Sequence, residues 1–296
     1  MGDGTVRRRA LRATLASLLG GAAALALMAL AAAPAGAQGA TVRLHDAGST
    51  RYYLAVGASE AVGVQPSATH PWAVRTPDGY ANDLLTLEAA RWPGLRLVDL
   101  GCPGITAQGA LDGRGGCAYP AGSEIATAVR FLSEHRGQTV LVTVDLGFND
   151  LWPCLLHETV DGRCVDAALA RVARTLPEVL DRLRAVGGAL LLIVGLQHND
   201  PFVADARFGA GAFARASTVV FDRFNAEVAA IYRGAGAIVA NVPSEFGGGA
   251  AAPMRMCTLS WMCDRHNLHP NDAGYIVIAD AVAEAIASRG TAGPGG

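Results

Sequence analysis

"YYLAVGASE" (52–60) is an apolar and aromatic run that closes on a glycine and a serine. Its near-continuous apolar character suits a strand covered on both faces, not one alternating between core and solvent. Four further runs read the same way: "RLVDLG" (96–101), "TVLVTVDLG" (139–147), "ALLLIVGL" (189–196) and "AIVANV" (237–242). Amphipathic helical patterns lie between them, over 81–92, 124–135, 165–187 and 213–234, and another over 272–288 closes the chain. Pro177 predicts a kink inside the third of these. "FGGGAAAP" (246–253) reads as a loop. Alternating strand and helix predicts an α/β fold, a three-layer α/β/α sandwich on a five-stranded parallel sheet. With the flavodoxin-like order 2-1-3-4-5, the topological switch falls between strands 1 and 3, and ligands bind beyond their carboxyl ends. Ser59 follows strand 1 and Asn149 follows strand 3, so both flank that crevice.

The first 37 residues read as an export signal. Arg7, Arg8, Arg9 and Arg12 precede the apolar "LLGGAAALALMALAAAP", and Ala35-Gly36-Ala37 offers a small-x-small cleavage site before Gln38. Residues 38–296 then form a single catalytic domain, with no composition shift that marks a linker. The net charge of −2 becomes more negative once the Arg-rich segment is removed, which argues against nucleic acid or an anionic membrane as partner. All 24 basic residues are Arg, so chemistry that needs a lysine amine is excluded: a Schiff base, a phosphate-loop Lys, a Ser–Lys dyad. An even count of six cysteines in an exported chain predicts disulfides. Sequential pairs are expected, because each would lie within one predicted loop: Cys102–Cys117, Cys154–Cys164 and Cys257–Cys263. Cys263, His266 and His269 have a metal-like spacing, but no CxxC knuckle accompanies them, and no metal is expected.

The polar residues at strand ends each have two readings. Ser59 is a turn or N-cap residue, or a nucleophile that needs a base and oxyanion donors. The α/β-hydrolase elbow requires Gly two places after its serine, where this chain has Ala61, and a dinucleotide fingerprint lacks its glycines. His269, in "LHPNDAGY" (268–275), precedes the last helix as a cap or as a base. A helix N-terminus disfavours imidazolium, so a base there needs an acceptor for its other nitrogen. Asn149, in "DLGFND" (145–150), makes an Asn-Asp turn or offers an N–H to the crevice. Gly101, in "DLGCPG" (99–104), lets a backbone N–H approach a ligand. Asp145 reads as a support for the Asn149 loop or as a buried strand Asp. Trp152 and the 154–164 loop are placed to line an acyl pocket.

Taken in order, "GASEAVG", "LGCPGITA", "GFND" and "HPNDAGYIVIA" resemble the SGNH (GDSL-type) hydrolase family, over residues 50 to 288. Export and three loop disulfides look like its secreted actinobacterial-type lipase and esterase branch. The resemblance implies that Ser59 Oγ attacks a carboxylic ester and His269 moves the proton. It also implies that the Ser59 and Gly101 N–H groups and the Asn149 side chain form the oxyanion hole. No cofactor or metal is implied. The expected partner is a small-molecule or lipid ester, met by a monomer with no nucleic acid and no stable membrane insertion.

Two positions depart from the family pattern. Gly-Asp-Ser is Gly-Ala-Ser here, with Ala58 in place of the Asp. Three residues before the His, where the family places an Asp, stands His266. Either Asp264 or the main-chain carbonyl of His266 then orients His269. The carbonyl is preferred, since Cys257–Cys263 would hold this segment. The rival functions are a carbohydrate acetylesterase of the same fold and a secreted binding protein that has lost activity.

Overall fold

The computed structural model describes residues 50–69, 74–247 and 252–291. The predicted signal segment and part of the "FGGGAAAP" loop, 248–251, lie outside these. Five strands form one parallel sheet: β1 (Arg51–Gly57), β2 (Leu95–Asp99), β3 (Thr139–Asp145), β4 (Leu192–Leu196) and β5 (Ile238–Ala240). Their order is β2-β1-β3-β4-β5, as the alternation predicts. Tyr53, Leu54, Ala55 and Val56 are fully buried, because β1 is covered on both faces.

Among the described residues, ten α-helices accompany the sheet. They are α1 (Tyr80–Glu88), α2 (Ala107–Asp112), α3 (Glu124–Glu134), α4 (Phe148–Leu151), α5 (Gly162–Gly187), α6 (Gly211–Gly234), α7 (Val242–Glu245), α8 (Ala252–Leu259), α9 (Met262–Arg265) and α10 (Asp272–Thr291). α1 packs on α10, while α3 and α6 pack on α5, which gives the two outer layers. α5 runs on through Pro177. Its start is set by Asp161, whose carboxylate accepts from the Arg163 and Cys164 N–H groups.

All three sequential disulfides form: Cys102–Cys117, Cys154–Cys164 and Cys257–Cys263, with Cα–Cα separations of 6.0, 5.4 and 5.2 Å. No cysteine is left unpaired among the described residues. No described helix is long and apolar enough to cross a membrane.

Candidate active site

The carboxyl ends of β1 and β3 meet closely. Gly57 pairs with Asp145 in the sheet, and a Cβ on Gly57 would stand 2.8 Å from Asp145 Cβ, so only glycine fits. The chain then turns through Ala58, Ser59 and Glu60. The Ser59 carbonyl accepts from Val64 N–H at 3.0 Å, which closes the turn.

This turn is tied to the segment that carries His269. Gln65 Oε1 accepts from Trp261 Nε1 at 2.9 Å, and Gln65 Nε2 donates to Asp272 Oδ1 at 2.7 Å. Trp261 and Asp272 bracket His269, and Trp261 N–H donates to the His269 carbonyl at 3.0 Å. Tyr275 Oη adds a bond to the Val64 carbonyl at 2.7 Å. Gln65 therefore clasps both ends of the histidine segment against the serine turn. Sequence reasoning missed it, because a lone Gln after a turn carries no pattern.

The partner of His269 differs from both expectations. Its Nδ1 lies 2.8 Å from Asn267 Oδ1. The same oxygen accepts from the His269 main-chain N–H at 3.0 Å. A backbone N–H can only donate, so that atom is the amide oxygen, and Nδ1 must carry the ring proton. Nε2 is left as the basic nitrogen. Asp264 is exposed on α9. The His266 carbonyl is displaced from the role because Asn267 folds an Asx turn onto His269 first. Burial alone pushes the His269 imidazole down to about 4.

Asn149 stands at the start of α4, just past β3. One of its two amide protons goes to the Ile105 carbonyl at 2.9 Å, which fixes the amide plane. Its neighbour Asp150 accepts from Ala107 N–H at 2.8 Å, binding the α4 turn to α2. Gly101 packs against the serine turn: a Cβ there would press on Ala58 O, Ala61 Cβ and Val62 Cγ1, each at 3.0 Å. Its N–H, however, donates to Asp99 Oδ1 at 2.9 Å. The amide expected to serve as an oxyanion donor is thus already bonded.

Buried acids surround the turn. Glu124 accepts from Gly57 N–H at 2.7 Å, and burial raises its pKa despite that bond. Asp145 is pushed up to about 7, by burial first; the Ala58 N–H opposes the shift, though it falls short of full hydrogen-bond geometry. Glu60 is raised by burial and then by the Asp145 charge. Beyond β4 and β5 opens a cavity of about 480 Å³ whose wall includes Val203, Phe221, Phe246, Met256 and His198. Ser59, Asn149 and His269 do not line it.

A family model, the GDSL-like lipase/acylhydrolase family, matches residues 55–277. Among solved structures, the chain is similar to the lipase Lip_vut3 from a goat rumen metagenome, at 17% identity and a TM-score of 0.56, covering 80% of this chain and 97% of that one. It is similar to phospholipase A1 from Streptomyces albidoflavus, at 20% identity and 0.53, covering 79% and 100%. It is also similar to Axe2, an acetylxylan esterase from Geobacillus stearothermophilus, at 18% and 0.52, covering 81% and 95%. No curated protein matches. These identities speak for the fold, and the family match runs from within β1 into the start of α10, taking in the Ser59, Gly101 and Asn149 blocks and all but the last two residues of the His269 block. The chain belongs to the GDSL-like lipase/acylhydrolase family and is a carboxylic ester hydrolase.

Proposed function

We propose that the protein is an exported serine esterase that works through an acyl-enzyme on Ser59. Ser59 Oγ attacks the ester carbonyl, and His269 Nε2 takes its proton. The negative oxygen of the tetrahedral intermediate is met by the Ser59 N–H and the second amide proton of Asn149. Gly101 N–H joins them only when Asp99 releases it. The intermediate expels the alcohol, which leaves with the proton from Nε2. Water, deprotonated by the same nitrogen, then frees the carboxylic acid and restores Ser59. His269 thus takes up and gives back one proton in each half-reaction, and the only co-reactant consumed is water.

The observation that carries this reading is the hydrogen-bond pair on Asn267 Oδ1, which makes Nε2 the basic nitrogen of His269. The Gln65 clasp supports it by tying that histidine's segment to the Ser59 turn. Export is supported by three disulfides, which form and persist in oxidising compartments. The test is a panel of p-nitrophenyl esters from acetyl to long acyl, with acetylated xylan alongside. Wild type should hydrolyse at least one ester far faster than Ser59→Ala. A preference for acetylated glycan over every longer ester would replace the lipase or esterase substrate with a carbohydrate one. Equal rates for wild type and Ser59→Ala would sink the reading.

A further inference from the structure

Three ionisable side chains behind the serine turn have no part in the ester mechanism above. Glu60 follows Ser59, Asp145 ends β3, and His198 lies just past β4. His198 Nε2 faces Asp145 Oδ1 at 3.4 Å, and His198 Nδ1 faces Glu60 Oε2 at 3.8 Å. His198 and Asp145 are 2% and 1% exposed. Neither ring nitrogen, and neither Asp145 oxygen, has a full hydrogen-bond partner, though the Leu146 backbone approaches the ring closely enough to oppose the lowering of its pKa. The histidine is firmly seated nonetheless. Asn225 Oδ1 accepts from His198 N–H and Asn225 Nδ2 donates to the His198 carbonyl, both at 2.8 Å. Phe148 and Phe224 flank its ring, with centroids 5.9 and 5.6 Å away.

We propose that His198 is a positioning residue that bridges Glu60 to Asp145, and so holds the Ser59 turn in register with the end of β3 that leads to Asn149. The inference rests on the Ser59 and Asn149 roles given above. Buried carboxylate and imidazole atoms are costly without partners, and here the ring nitrogens and carboxylates face one another. Once Asp145 is ionised, above about 7, one proton arrangement satisfies all three groups. Protonated Glu60 donates to Nδ1, and Nε2–H donates to ionised Asp145. The cluster then carries a single negative charge. Burial raises the Glu60 pKa and lowers that of His198 to about 4, in agreement with a protonated acid beside a neutral ring. Both separations exceed hydrogen-bond length by under about 1 Å, within reach of a side-chain adjustment. The same residues offer ligand atoms to a cation. The ring, however, turns a different nitrogen to each carboxylate, which suits a proton bridge better than one shared ion.

The bridge reaches the chemistry from two sides. Glu60 is bonded directly to the nucleophile residue, and Asp145 lies under the Ala58 N–H on the residue before it. Ala58 stands where the family has Asp, so in this chain the carboxylate beside that turn comes from β3.

The experiment uses the purified full chain and p-nitrophenyl ester hydrolysis. His198→Phe should lower kcat about 100-fold, the loss typical of a misplaced reacting group, while KM changes less than about 2-fold. Glu60→Gln should lower kcat less, and the double variant should be no slower than His198→Phe, because Glu60 acts through the ring. Full multiplication of the two losses, or a kcat for His198→Phe within about 2-fold of wild type, overturns the bridge. If His198→Phe does not fold, Glu60→Gln and Asp145→Asn decide: an unchanged kcat in both overturns it. One equivalent of tightly held metal in the purified protein, lost in Asp145→Asn, also overturns it in favour of an ion. Wild type no faster than Ser59→Ala removes the esterase reading and the bridge with it.

Discussion

A histidine that gives its Nδ1 proton to an amide works under different electrostatics from one backed by a carboxylate. Asn267 fixes the tautomer of His269 but supplies no negative charge to favour imidazolium. Burial pushes the ring down to about 4, so the neutral, basic form persists as the solution becomes acidic. The acid limb of kcat/KM should therefore fall below the ordinary histidine value of about 6.5, toward 4. Asn267→Asp places a charge beside the ring, raises its pKa and moves that limb to higher pH. Asn267→Ala frees the ring and should lower kcat by about 100-fold. Asp264→Asn should leave the rate near wild type, since that side chain is exposed on α9. A pH–rate series on these three variants checks all of this. Ser59, Asn149 and His269 stood out in the sequence because each sits where a strand or helix ends, and the roles proposed for them are what the variants test. Asn267 was not, because an acid was sought at Asp264 and a carbonyl at His266. Its one signal was local: an Asn two residues before the histidine is an Asx-turn pattern. Gly101 was legible as a place of close approach, while its bond to Asp99 depends on a side chain folding back two residues.

At the scale of elements, burial explains what could be read. All five strands and the five longer helices emerge from apolar runs and amphipathic periods, because covered strands and one-sided helices leave a strong pattern. α2, α4, α7, α8 and α9 did not emerge, since a helix of one or two turns is set by caps and tertiary contacts more than by its own period. Thr106 starts α2 by accepting from Gly109 N–H, a cue spread over only three residues. Three of these short helices, α7 to α9, follow β5 and lead to the histidine segment. Gln65 holds that segment to the serine turn, together with the Tyr275 bond to Val64. Gln65→Ala removes two short, part-buried hydrogen bonds and a longer one to Thr76, and should cost about 2 kcal/mol of stability, at about 1 kcal/mol per short bond. It should also lower kcat, by loosening His269 relative to Ser59. Urea unfolding alongside ester kinetics checks both. A variant with normal stability and normal kcat would show that the clasp holds nothing of consequence.

Across the whole molecule, buried carboxylates set how stability responds to pH. Asp145 and Asp200 are both pushed up to about 7 by burial, against an ordinary 3.8. The folded chain thus holds protons that the unfolded chain releases, and this stability is present below pH 3.8 and lost as pH rises through 7. His198 and His269, lowered to about 4 from 6.5, act oppositely: their contribution is present above 6.5 and lost as pH falls through 4. Above about 7 the histidine contribution is nearly complete while the carboxylates go on losing protons, so the melting temperature should fall as pH rises from about 7 toward 8. Asp200→Asn should flatten the fall, because a neutral amide can keep the bonds to Phe202 and Ser217. The proposed chemistry converges on one serine. The most direct measurement is labelling by a fluorophosphonate, followed by peptide mass spectrometry. The adduct is predicted on Ser59 in wild type, absent in Ser59→Ala and strongly slowed in His269→Ala. An adduct on another residue, or equal labelling of wild type and Ser59→Ala, would contradict the account.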